Sequence, residues 1–82
     1  MSSPAREMNV TSKVDLVMTD VINHIRSGTY PPGSKLPSAA EMRAHYEVSQ
    51  QTIRTAVDRL KAVGWVTGVP GAGIFVADNP PT

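Results

Sequence analysis

The chain has no cysteine, one tryptophan, one phenylalanine and only two tyrosines among its 82 residues. Without cysteine there is no disulfide framework and no thiolate metal site, so a reducing compartment is the simpler reading. No apolar run approaches the ~20 residues of a membrane span. The first ten residues carry no hydrophobic signal region either, which makes the sequence read as cytoplasmic. Charge of one sign is also lacking: eight basic side chains stand against seven acidic ones. Total charge therefore names no partner, and any nucleic-acid argument must rest on where the charges sit. Catalytic sets are missing too. His24 and His45 stand far apart without a thiol or an acidic partner at ligand spacing, so both read as surface histidines. No Ser/His/Asp or Cys/His set is visible, and so short a chain has little room for a catalytic cleft. The expectation is a protein that is not an enzyme and uses no cofactor and no metal.

What is present fits one small domain. A hydrophobic fraction of 40% against 18% charged residues is globular in character. Residues 1–11 are polar and without sustained periodicity, which predicts a flexible arm. Ser12 and Asp15 then form a capping signal. Val14, Val17, Met18, Val21, Ile22 and Ile25 follow at i, i+3, i+4, i+7, i+8 and i+11, the spacing of one apolar helix face. Gly28 ends that helix. The prolines of Tyr30-Pro31-Pro32-Gly33 force an extended or turning connection, and Lys35-Leu36 can form a short edge strand. Ser38 and Glu41 make a second capping box for a helix to about His45, with Ala39, Met42 and Tyr46 facing inward. After a tight connection at Glu47-Val48, Ser49 caps a third helix whose buried face is Ile53, Ala56, Val57, Leu60 and Val63, stopped by Gly64. Trp65-Val66-Thr67 and Ile74-Phe75-Val76 change the period to that of strands, joined by a glycine-rich tip. The fold class is therefore mainly α with a small β-hairpin wing (α+β). It is a winged helix-turn-helix with three helices and a two- or three-stranded antiparallel sheet over residues 12–77, followed by a polar, proline-containing tail or linker at 78–82.

The segment joining the second and third helices is the informative part. A connection this short forces two helices to cross steeply, so the N-terminal end of the third projects outward while Ile53, Val57 and Leu60 anchor it. Its outward residues are Gln50, Gln51, Arg54 and Thr55, with Thr52 beside them. Gln can pair with an adenine edge and Arg with a guanine edge. Ser49 and the free N–H groups of the first turn can bind phosphate. The same residue types also serve simply to solubilise a helix, and periodicity alone does not separate the two readings. Residues 35–61 hold five basic against three acidic groups, a local balance of +2.

Three stretches resemble a known family. Residues 25–38 (IRSGTYPPGSKLPS) look like the opening of the GntR-type DNA-binding domain. Val48-Ser49-Gln50-Gln51-Thr52-Ile53-Arg54 resembles its Val-Ser-x-x-Thr-Val-Arg recognition-helix motif, and Gly71-Ala72-Gly73-Ile74-Phe75-Val76 is similar to its wing signature. The resemblance spans roughly residues 12–77. It implies a bacterial transcription regulator, usually a repressor, that binds a near-palindromic double-stranded DNA operator as a homodimer. In that family the recognition helix (about 49–63 here) lies in the major groove and the wing (about 67–76) near the minor groove. Carried over by position, it places Ser38 at the phosphate-facing start of the second helix. It places Ser49, Thr52 and Arg54 on the third, and Gly71 and Gly73 in the wing, while Gln50 and Gln51 come from the outward face itself. The sequence departs from the family at three places: Ala40 and Gln50 stand where Arg is common, and the wing carries no basic residue. Such regulators generally add a C-terminal effector-binding and dimerisation domain, which 78–82 would lead into. Two plainer readings stand beside these. Gly71 and Gly73 serve the hairpin turn in any case, and Trp65, beside Val66 after a helix stop, fits the core better than a base-stacking role. The alternative from another class is a winged-helix protein–protein interaction module without DNA binding.

Overall fold

The computed structural model describes residues 12–81; the arm expected over 1–11 lies outside them. Three helices follow in order, α1 (Lys13–Ser27), α2 (Ala39–Tyr46) and α3 (Gln50–Val63), and then the antiparallel strands β1 (Val66–Val69) and β2 (Gly73–Val76).

Each helix is started by the serine that the sequence marks. Ser12, Ser38 and Ser49 hold extended backbone, and each side chain accepts the N–H three residues on, satisfying a donor that has no partner within the helix. At α2 the box is complete, because Glu41 Oε1 accepts the Ser38 N–H at 2.8 Å. Those hydrogen bonds, backbone first and hydroxyl second, hold the Glu41 carboxyl below its usual range. Gly28 ends α1 in the left-handed region at φ 89°, where a Cβ would clash with the following carbonyl. Glu47 takes the same role after α2 with φ 56° and ψ 50°. It is the only described non-glycine residue with positive φ, and it turns the chain from α2 into α3.

The core gathers one face of every element: Val17, Val21 and Ile25 of α1, Met42 of α2, and Ile53, Ala56, Val57 and Leu60 of α3. Leu36, Trp65, Val66 and Val76 close it. Trp65 is 7% exposed and belongs to this core, with the Arg26 guanidinium 5.9 Å from its ring centroid. Two residues expected inside lie outside. Val63 is 59% exposed, since it stands at the edge of the apolar stripe in the last turn of α3. Ala39 is exposed at the first position of α2 and lines a surface groove instead.

β1 and β2 pair in register Val66↔Val76 through Val69↔Gly73, so β1 runs two residues and β2 one residue further toward the tip than the apolar triplets suggest. The tip is a turn closed by Ala72 N–H to Val69 O at 2.9 Å. Pro70 sits at its second position and Gly71, with φ 79°, at its third, the chemistry of a type II turn. Ser34–Leu36 lies along the other side of β2. Lys35 pairs with Phe75, Leu36 N–H donates to Ile74 O and Val76 N–H to Ser34 O, each at 2.8 Å. The edge strand read at Lys35-Leu36 is thus one bridge long, and it fastens the α1–α2 connection to the wing.

Candidate nucleic-acid interface

The outward edge of α3 is built by what its inward edge does. With Ile53, Ala56, Val57 and Leu60 fixed in the core, Gln50, Gln51 and Arg54 have only solvent to face, and all three are exposed. Local hydrogen bonds then divide the candidate residues. Ser49 Oγ accepts the Thr52 N–H at 3.1 Å and lies 3.0 Å from Thr52 Oγ1. Gln51 Nε2 donates to Thr55 Oγ1 at 3.1 Å, one turn along the helix. Gln50 and Arg54 take part in none of the side-chain hydrogen bonds or ion pairs among the described residues. An Arg54–Asp58 pair, ordinary at i, i+4, does not form within 4 Å.

Gln50 and Arg54 share a groove of about 220 Å³ with Ala39, Asp58, Lys61 and Ile74, floored by Ile53 and Val57. Gln50, Arg54, Asp58 and Lys61 follow at i, i+4, i+8 and i+11, a stripe down the wing side of α3. Lys61 continues into a second groove of about 330 Å³ along the hairpin, lined by Gly68, Val69, Pro70, Gly71, Gly73 and Ile74. The sequence reading missed Asp58 and Lys61 as members of this surface. The signal was available, since both continue the spacing that begins at Gln50 and Arg54.

Ser38 stands at the start of α2. There the carboxylate of Glu41 already occupies its N–H, and its hydroxyl oxygen accepts from Glu41 N. At the wing tip, nothing stands within 4 Å of the place a Cβ would take on Gly71, whereas the same place on Gly73 is covered by the Lys35 side chain.

A second polar cluster sits between α1 and α2, away from this edge, and takes in one of the two histidines, while His45 is exposed as read. His24 is half-buried. Its Nδ1 donates to the Asp20 carbonyl oxygen at 2.7 Å, and its ring stacks on Tyr30 at 5.2 Å between centroids. Asp20 lies in the middle of α1, too far from its N-terminus to serve the dipole, and it accepts from the Tyr46 hydroxyl. Among the described residues no group of three or more His, Asp or Glu is arranged to hold a metal.

The model of the bacterial regulatory proteins of the gntR family matches residues 14–76. The chain belongs to that family. It is 37% identical over 68 residues to the arabinose metabolism transcriptional repressor of Halalkalibacterium halodurans, covering 83% of this chain and 18% of that protein. It is 32% identical over 79 residues to the probable transcriptional regulator PhnF of Escherichia coli, covering 96% of this chain and 30% of that one. The chain therefore spans less than a third of the length of either relative. Among solved structures, the AraR DNA-binding domain in complex with operator ORE1 superposes with a TM-score of 0.79 at 33% identity, over 80% of each chain. A GntR-family transcriptional regulator from Listeria monocytogenes superposes with a TM-score of 0.82 at 25% identity, over 87% of this chain and 62% of that one. The winged-helix architecture and the family are thus common to sequence and structure, and the family is one of regulators rather than enzymes.

Proposed function

We propose that this chain binds duplex DNA sequence-specifically, with α3 in the major groove and the wing near the minor groove, as the DNA-binding part of a repressor. The observation that carries this reading is the outward edge of α3. Its first two turns expose Gln50, Gln51 and Arg54 and no large apolar side chain. A B-form major groove admits a helix and presents base edges that Gln and Arg recognise. A protein-interaction module would show apolar residues there, but the large exposed ones among the described residues are Leu16, Val63 and Val69, none of them in those turns. The family match and the operator-bound AraR domain support the same reading.

In this arrangement Gln50 and Arg54 read base edges and Gln51 flanks them. The hydroxyls of Ser38, Ser49 and Thr52 stand toward phosphates on either side, with Ser49 and Thr52 offering one free hydroxyl proton between them because their own hydrogen bond uses the other. Gly71 lets the open wing tip approach the backbone of the minor groove, and Gly73 lies beside it. A local balance of +2 provides few phosphate contacts per chain. Two chains on a near-palindromic operator, acting in the cytoplasm and joined through a C-terminal effector-binding domain reached by 78–82, would gain affinity through effective concentration. Binding-site selection from random duplex at low salt, followed by titration of the selected site, tests the reading. Enrichment of a near-palindrome is the expected result, and no duplex binding at any salt would favour the interaction module.

A further inference from the structure

The wing has no basic residue of its own, yet two lysines from elsewhere in the chain lie against it. Lys61, in the last turn of α3, reaches over Gly68: a Cβ added there would stand 2.8 Å from Lys61 Nζ and 2.9 Å from its Cε. Lys35 reaches over Gly73, where a Cβ would stand 2.8 Å from its Cε and 3.6 Å from its Nζ. Strand alternation puts the two on opposite faces of the hairpin. Val66, Gly68, Ile74 and Val76 share the core-facing side, while Thr67, Val69, Gly73 and Phe75 share the other, and Lys35 pairs directly with Phe75. Neither lysine forms an ion pair with a described carboxylate.

We infer that Lys35 and Lys61 supply the phosphate contacts of the wing, one on each face of the hairpin, with Gly73 and Gly68 kept small to seat them. The inference deepens the DNA-binding reading and rests on it. A hairpin entering or skirting the minor groove meets a phosphate strand on either side, and a cation on each face answers both. The long methylene stem of lysine can lie along a flat glycine surface while its ammonium reaches solvent. The contact is one of position and not of sequence, because phosphates carry no base identity.

The test measures affinity for the duplex recovered by selection, and for a mixed-sequence duplex, across a salt series. Each neutralised phosphate contributes about 0.9 to the log–log slope. Lys35→Gln and Lys61→Gln should therefore each flatten it by about 0.9, the double variant should flatten it by about twice that, and the preference for the selected duplex should not change. Lys61→Arg should keep the slope. Gly68→Ala probes the seat itself, since Gly68 holds an ordinary backbone conformation and only the far end of Lys61 need move. It should weaken binding in the wild-type background and have no further effect on top of Lys61→Gln. An unchanged slope in the folded double variant, or full additivity of Gly68→Ala with Lys61→Gln, overturns the proposal while leaving DNA binding intact. Failure of the wild type to bind either duplex overturns both.

Discussion

The Tyr46 hydroxyl donates to Asp20 Oδ2 at 2.5 Å, tying the last residue of α2 to the middle of α1 across 26 positions of sequence. It is the one side-chain hydrogen bond between helices among the described residues, and it sets where α2 lies just before the turn into α3. Burial, reinforced by the Asp20 hydrogen bond and charge, pushes the Tyr46 hydroxyl well above its ordinary pKa. A raised folded-state value stabilises the protein fully below the unfolded pKa, near 10, and loses that contribution as pH rises from there. Tyr46→Phe should cost about 0.5–1.5 kcal/mol at neutral pH. The gap to wild type should narrow above pH ~10, where the free tyrosine ionises. Urea unfolding at several pH values checks both; a gap that stays constant to high pH would refute the linkage.

Arg54 is exposed, unpaired among the described carboxylates, and set in the groove beside Gln50. Arg54→Ala should lower operator affinity by ~1–3 kcal/mol with no change in thermal melting. Isothermal titration of the selected duplex, paired with a melting curve, decides it, and full affinity in the folded variant would return Arg54 to a solvating role.

Gln50 occupies the first turn of α3 with its amide free. A Gln there matches adenine through N6 and N7, where an Arg would match guanine through O6 and N7. Gln50→Arg should shift one half-site position from A·T to G·C by an amount within ~1–3 kcal/mol. If it only touches phosphate, the substitution would strengthen all sequences alike. Sequence logos from parallel selections separate the outcomes, and identical logos would end the base-reading assignment.

Asp58 places a carboxylate on the same stripe as Arg54 and Lys61, without an ion pair to either within 4 Å. Beside a phosphate backbone it is repulsive. Asp58→Asn should tighten binding to selected and mixed duplex by similar factors, thereby lowering neither preference nor stability. Weaker binding would show that Asp58 holds one of its cationic neighbours in place.

Glu47 carries the left-handed turn between α2 and α3 at φ 56°. That conformation costs an L-residue roughly 1–2 kcal/mol, and glycine gives back about 0.5–1 kcal/mol of it in backbone entropy. Glu47→Gly should therefore stabilise the fold by up to about 1 kcal/mol, measured by chemical denaturation. A clear loss of stability would mean that the Glu47 side chain contributes something that its exposure hides.

The sequence by itself determined the elements, because they are local. Serine caps act three residues ahead, glycine stops act within one turn, and the period of the apolar residues separates helix from strand. The outward set Gln50, Gln51 and Arg54 was legible for the same reason, being the complement of a stripe that had to be buried. Tertiary structure decided everything that depends on two distant segments meeting. Lys35 and Lys61 stand at an uncharged wing only because one residue pair joins the α1–α2 connection to β2 and because α3 ends beside β1. His24 became half-buried once Tyr30 folded back over it, and Asp20 became a hydrogen-bond acceptor once α2 brought Tyr46 across. Spacing along a chain carries no information about which side chain will reach across a glycine, and that reach depends on the packing of the core beneath.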